Sequence, residues 1–507
     1  MINIDGNSLT IDLIQKICIN NDEVRLDKNA KTIIDKSRHD LEIMLDKEKP
    51  AYGVNTGFGT FANKKIDKEK IELLNRNLIK SHAVGFGEPL KRDVVRAAML
   101  IRANTLAKGY SGVRSDLITT LLEMLNKKVS PVIRSQGSLG SSGDLCMLSQ
   151  LGLVLTKDEE DLEEESGLAE YEDVVFTGKK AMEKAKISRI ELKAKEGLAL
   201  INGATFSAAM AALTIHKAFF AIKLANHACA LTLEALLGRV DPFDVRVHEA
   251  RGLCGQKEIA SEILSYLAGS TLANSGNQVQ DPYSIRCSPQ IHGSILDTLK
   301  FAQNIIEREI NAATDNPLIF GSDIISGGNF HGEPIALTMD YLAIALTELA
   351  AVSERRIFQL TDSNLNHGLP HMLVGVDANE GLNSGMMIPQ YTAASLVLEN
   401  RTLATPDSIQ SLPTSANQED HNANSMTAAR HASQILENTL YVLSIEVCVA
   451  VRALQIRQLL APRKKMSTVN EIIFNKTIKI FQYMAEDQIW SKNIDRVYEK
   501  IISGEIL

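Results

Sequence analysis

TFSAAMAALTIHKAFFAIKLANHACALTLEALL, running from Thr205 to Leu237, is apolar almost all the way round a helix. Lys217, Lys223, Glu234 and a few neutral polar side chains are its only interruptions. A helix without a polar face belongs at the centre of a bundle, and two lysines in mid-span argue against a membrane span. Working outward, three further helical stretches follow: Gln290 to Ala313, Pro334 to Leu360 and His431 to Leu460. Each exceeds the usual globular helix of about 11–12 residues. Strand patterns are sparse and no β-α-β alternation appears, so the expected class is all-α, built on a long central helix bundle.

Residues 1–200 differ in texture, mixing short helical patterns with glycine-rich turns. They are expected to form an N-terminal loop-rich helical region, and residues 201–507 the bundle with a C-terminal helical region. Polar, turn-rich segments separate the long helices at Asn274 to Gln290, Asp315 to Pro334 and Ser408 to Ser425. Functional residues concentrate on such loops when a rigid scaffold holds them.

The 507 residues carry a net charge of −8 and are 45% hydrophobic, enough for a large core. The charge is unevenly placed. Asp158 to Asp173 contains ten acidic residues and no basic ones, so the remainder of the chain sums to +2. A basic face for nucleic acid is not expected, and the acidic stretch reads as a solvated excursion. Six scattered cysteines without C-x-x-C spacing suggest reduced thiols, and the absence of a leader or spanning segment suggests a soluble cytoplasmic protein. His367 and His371 have i, i+4 spacing, but Gly368 and Pro370 spoil the helix that metal ligation would need, so no metal is expected. Gly57-x-Gly59-x-x-Ala62 satisfies a loose dinucleotide pattern, yet no clear strand precedes it and no acidic residue follows at the ribose position, so no nucleotide cofactor is expected.

The loop Gly137-Ser-Leu-Gly-Ser-Ser-Gly-Asp-Leu145 carries the most chemistry. If the amide nitrogen of Gly143 attacks the carbonyl carbon of Ser141 and two waters leave, the backbone closes into an imidazolone ring with an exocyclic methylene at Ser142. Ser142 supplies the hydroxyl to be eliminated, Gly143 has no Cβ to block the approach, and Gly140 lets the loop bend. Ser-Ser-Gly-Asp also reads as a helix N-cap before Leu145, Leu148, Leu151 and Leu155, and that reading stays open. A serine-hydrolase elbow fits poorly, because Asp144 breaks the second glycine spacing.

The longer string resembles the histidine/aromatic amino acid ammonia-lyase family, which builds a 4-methylidene-imidazol-5-one (MIO) group from Ala-Ser-Gly inside a similar segment. Ser141 stands here where the family usually has Ala. The resemblance implies a self-made MIO from Ser141, Ser142 and Gly143, and an electrophile that captures the amino group of an amino acid so that ammonia can leave. Tyr52, in Tyr52-Gly-Val-Asn-Thr-Gly-Phe-Gly59, matches the family base that takes the β-proton. Gln280-Asp-Pro-Tyr-Ser-Ile-Arg286 looks like the segment whose Arg286 grips the substrate carboxylate, with Tyr283 and Gln280 lining the site. Asn202, in Gly197-Leu-Ala-Leu-Ile-Asn-Gly203, is similar to the asparagine beside the ring, although Ala204 replaces the usual Thr. Phe330 matches the aromatic that shields the ring.

Two places bear on substrate choice. Ser81-His82 occupies the spot where phenylalanine-preferring members carry an apolar pair, and Glu419 matches the acid that histidine-specific members direct at the substrate ring. An apolar ring would leave Glu419 facing a partner that cannot satisfy it, at a cost of roughly 1–3 kcal/mol. The implied reaction is therefore L-histidine to trans-urocanate plus ammonia, in a homotetramer whose sites combine loops from different subunits. Phenylalanine or tyrosine ammonia-lyase or 2,3-aminomutase activity on the same scaffold, and a non-catalytic helical assembly, are the alternatives.

Overall fold

The computed structural model describes residues 1–45, 52–61 and 63–507. Ala62, the last position of the glycine pattern beginning at Gly57, lies outside them. Eighteen α-helices occur among the described residues, and the strands are only two to four residues long, so the protein is all-α in class. The four long helices are Thr205–Ala235, Ser288–Glu309, Glu333–Thr361 and Ser425–Leu460.

Their ends depart from the sequence expectation where side chains or backbone intervene. The first stops at Ala235 because Leu237 turns left-handed (φ +56°) and the Gly238 N–H bonds back to the Leu233 carbonyl at 2.8 Å, closing the helix. The second begins at Ser288, where Pro289 suits a first turn, and ends before Ala313. There the Asn311 amide donates to the Glu307 carbonyl at 2.8 Å, in place of a continuing helix, and is joined to Leu9, accepting from its N–H at 2.9 Å and donating to its carbonyl at 2.7 Å. The last starts six residues early, at Ser425, since Asn424 anchors the preceding turn by donating to the Asp407 and Gln410 carbonyls.

Chain contacts divide the protein into two compact units. The first comprises Met1–His216, Ala302–Asp340 and Pro406–Arg430, and the second Lys217–Phe301, Tyr341–Thr405 and His431–Leu507. Inside the second, a fully buried ion pair joins Arg356 to Glu446, with Nε–Oε1 at 2.5 Å. Thr232 and Ser353 donate to the same carboxylate at 2.9 and 2.6 Å. A buried charge is tolerated only when paired and hydrogen-bonded in this way. Three of the long helices are apolar and long enough to cross a membrane by composition alone, yet most of each apolar window is buried inside the protein.

Within the first unit the acidic stretch is built into the fold. Leu168–Tyr171 and Val174–Thr177 form a hairpin, and the first of these strands pairs with Ser130–Pro131. Asp158 lies 3.0 Å from the Lys80 ammonium, which also meets Glu165; Asp161 pairs with Arg189, and Glu163 with Lys180 at 2.6 Å. The expected solvated excursion is thus a clasp of ion pairs. Its basic partners, spread over the preceding and following sequence, were hidden by the local charge count. Lys80 is two residues from His82, so the clasp also braces the helix Ile71–His82 that carries it.

Candidate active site

The Gly137–Asp144 loop enters the helix Leu145–Leu155 and is held on several sides. Asp144, fully buried, accepts from Ser138 Oγ at 2.7 Å and from the Ser207 N–H and Oγ at 2.8 and 2.9 Å. Burial pushes its carboxyl above the ordinary range, and these donors oppose that shift. Because Ser207 lies in the first turn of Thr205–Ala235, the N-terminal end of that helix dipole also faces Asp144. The Gly332 and Asn424 N–H groups donate to the Gly140 and Leu139 carbonyls at 3.0 and 2.7 Å.

Gly143 is left-handed at φ +80°, and a Cβ there would overlap the backbone of Gly203. Only glycine lets the two strands of chain touch. The touching surface places two donors on the Ser142 carbonyl oxygen: Asn202 Nδ2 at 2.8 Å and the Gly203 N–H at 3.3 Å. The other end of the Asn202 amide, Oδ1, is buried without a hydrogen-bond partner among the described residues.

Ser141 and Ser142 face a cavity of about 1040 Å³ in the first unit, also lined by Tyr52, His82, Asn202, Phe330 and Glu419. Tyr52 Oη accepts from the Gly59 N–H at 3.3 Å, and its ring meets Phe58 edge-on. Glu419 accepts from Ser142 Oγ at 2.6 Å, Ser141 Oγ at 3.0 Å and Thr414 Oγ1 at 3.0 Å. Backbone bonds between Thr414 and Glu419, at 2.8 and 3.3 Å, close the loop that presents it. Seven sequence-selected residues thus share one cavity. Gly143 is not among its lining residues, and Gln280, Tyr283 and Arg286 belong to the second unit and do not line it. There Tyr283 is 69% exposed, the Arg286 guanidinium stacks on its ring at 4.6 Å, and Arg286 Nε is buried without a hydrogen-bond partner among the described residues.

His82 Nδ1 is 2.9 Å from Ser81 Oγ. Burial holds the imidazole below its ordinary value, against the opposing pull of Leu78 and Glu419. Folded His82 therefore takes up its proton at lower pH than in the unfolded chain. The stability linked to neutral His82 is complete above about pH 6.5 and is lost as pH falls through the folded-state value. Thermal unfolding between about pH 6.5 and about pH 5 should show a shallower acid loss for His82→Gln than for the wild type. Equal slopes would mean that the neutral ring is not favoured by folding.

Beneath the site lie residues that sequence reading missed. Arg102 is fully buried and donates to the Asn202 and Ala199 carbonyls at 2.8 and 3.1 Å, fixing the turn that carries Asn202. Burial lowers it to about 10. Lys195 and Asp315 form a buried pair at 2.5 Å beside Asn316, which lines the cavity. The available signal was a charge inside an apolar run, as in Ala97-Ala-Met-Leu-Ile-Arg-Ala103.

A helical fold with a serine-glycine loop, an amide pair and a carboxylate around one cavity defines a class, and the chain belongs to the aromatic amino acid lyase family, whose pattern matches residues 9–475. Histidine ammonia-lyase of Alkaliphilus metalliredigens is 44% identical over 100% of this chain and 97% of its own length. That of Caldanaerobacter subterraneus is also 44% identical, over 99% and 97%. Among solved structures, histidine ammonia-lyase from Trypanosoma cruzi superposes with a TM-score of 0.90 at 34% identity, covering 100% of this chain and 94% of its own. Phenylalanine aminomutase of Pantoea agglomerans gives a TM-score of 0.92 at 32% identity, covering 99% of each.

Proposed function

We propose that the protein is a histidine ammonia-lyase, a carbon–nitrogen lyase that releases ammonia from L-histidine to give trans-urocanate. The observation that carries the reading is the placement of Glu419 and His82 in the same cavity as Ser142. Two polar groups suit an imidazole, with its donor and acceptor nitrogens, and leave a phenyl ring unable to satisfy them.

An MIO ring built from Ser141, Ser142 and Gly143 fits the residues around it: the backbone of Gly203 packs where a Cβ at Gly143 would sit, so the position takes only the glycine whose nitrogen closes the ring, and the Ser142 carbonyl, which the ring retains, already meets two donors. When formed, the ring supplies an electrophile for the amino nitrogen of the substrate. Asn202 Nδ2 and the Gly203 N–H, aimed at the Ser142 oxygen, withdraw electron density from that end. Asn202 Oδ1, buried and without a hydrogen-bond partner among the described residues, would accept from the substrate amino group. Tyr52 takes the β-proton, and Phe330 keeps water from the loop. Arg286, with Tyr283 and Gln280, holds the carboxylate. Since these three lie in the second unit, off the cavity lining, we assign them to the site of a neighbouring subunit in a homotetramer. Six free cysteines suit a cytoplasmic enzyme.

Incubation of the purified protein with L-histidine, L-phenylalanine and L-tyrosine, followed by ultraviolet absorbance and chromatography, tests the assignment. Urocanate from histidine alone is the expected result. Cinnamate, coumarate or a β-amino acid as the main product would move the protein to a phenylalanine or tyrosine ammonia-lyase or aminomutase.

A further inference from the structure

We propose that Ser141, where the ring-forming triplet departs from the usual Ala, is a positioning residue: its hydroxyl fixes one oxygen of Glu419 so that the other is presented to the substrate ring. The inference rests on the reading of Glu419 as the imidazole contact. Among the described residues three hydroxyls donate to this carboxylate, and they divide unevenly. Ser141 Oγ and Thr414 Oγ1 both donate to Oε2, each at 3.0 Å, whereas Ser142 Oγ alone donates to Oε1, at 2.6 Å.

Ring closure changes this set in a defined way. One water takes the carbonyl oxygen of Ser141 with the amide hydrogens of Ser142 and Gly143. The other takes the Ser142 hydroxyl and its Cα hydrogen. Ser142 Oγ is therefore lost, and Oε1 loses the one side-chain donor it has among the described residues. The Ser141 side chain takes no part, so both donors on Oε2 persist. Maturation thus uncovers one oxygen while the other stays clamped from two sides. Ser141 is itself buried, 7% exposed, so its hydroxyl has little water to turn to and its bond to Glu419 is retained. An Ala at 141 would leave Thr414 as the sole side-chain clamp, and Thr414 shares a loop with Glu419 whereas Ser141 is part of the loop that forms the ring. Only the Ser141 bond ties the carboxylate to the ring itself.

Ser141→Ala, which restores the family's usual residue, and Ser141→Thr, which keeps a hydroxyl, test this. Intact mass should show full ring formation in both. For Ser141→Ala, kcat/KM for histidine is expected to fall roughly 10-fold, and urocanate affinity measured by calorimetry to weaken by a similar factor, with Ser141→Thr restoring both. In a Glu419→Ala background, Ser141→Ala should have no further effect. A fully matured Ser141→Ala with unchanged kcat/KM and urocanate affinity overturns the proposal. So does a Ser141→Ala that fails to mature, which would give the hydroxyl a part in cyclisation instead. Failure of the underlying reading looks different: Glu419→Ala would then bind urocanate and turn over histidine like the wild type.

Discussion

Ser142→Ala is expected to abolish turnover, by at least about 10³-fold, while leaving the chain folded. Its hydroxyl is the group that cyclisation would eliminate, and among the described residues its hydrogen bond is to Glu419. The backbone contacts that hold the loop, from Asn202 and Gly203 to the Ser142 carbonyl, need no side chain at 142 and remain in the variant. Intact mass separates loss of chemistry from loss of fold. The wild-type chain should weigh about 36 Da less than its sequence, the mass of two waters, and Ser142→Ala its full sequence mass with an unchanged far-ultraviolet circular dichroism spectrum. A wild-type chain at full mass that still consumes histidine would remove the electrophile from the mechanism.

Mixing two inactive variants should restore activity. Arg286→Ala removes the charge assigned to the substrate carboxylate, and a loss of about 10²–10³ in kcat/KM is expected from truncating one side of such a pair. Arg286 lies in the second unit with Gln280 and an exposed Tyr283, whereas Ser142 lines the cavity of the first. If each site takes its ring from one subunit and its arginine from another, Ser142→Ala and Arg286→Ala chains co-expressed in equal amounts form hybrids. About a quarter of the sites would then be intact, each partner position being wild type in half the draws. Recovery toward that fraction supports shared sites. An oligomer that forms with no recovery would place both residues in one subunit.

The loop chemistry was open to sequence reading because it is local. Ser141, Ser142 and Gly143 are adjacent, and what they can do follows from bonds they already share. Asn202 and Glu419 were reached only through resemblance, since nothing in an Asn-Gly turn or a lone carboxylate announces a partner dozens or hundreds of residues away. The bond from Ser141 to Glu419 spans 278 residues, and Ser141 could be noted in sequence only as a departure from pattern. Asp144 was visible as a cap and proved to be a buried anchor, fixed by Ser138 and Ser207.

The sequence by itself determined the all-α class and suggested the ring closure proposed for one tripeptide, because apolar periodicity and neighbouring functional groups act over a few residues. Only tertiary structure decided that Arg102 would lock the Asn202 turn, that the acidic stretch would close on Lys80 and Arg189, and that Asp144 would be fixed by Ser207. Those outcomes depend on which distant side chains burial forces together, where an unpaired charge or donor costs more than the chain entropy of bringing its partner in.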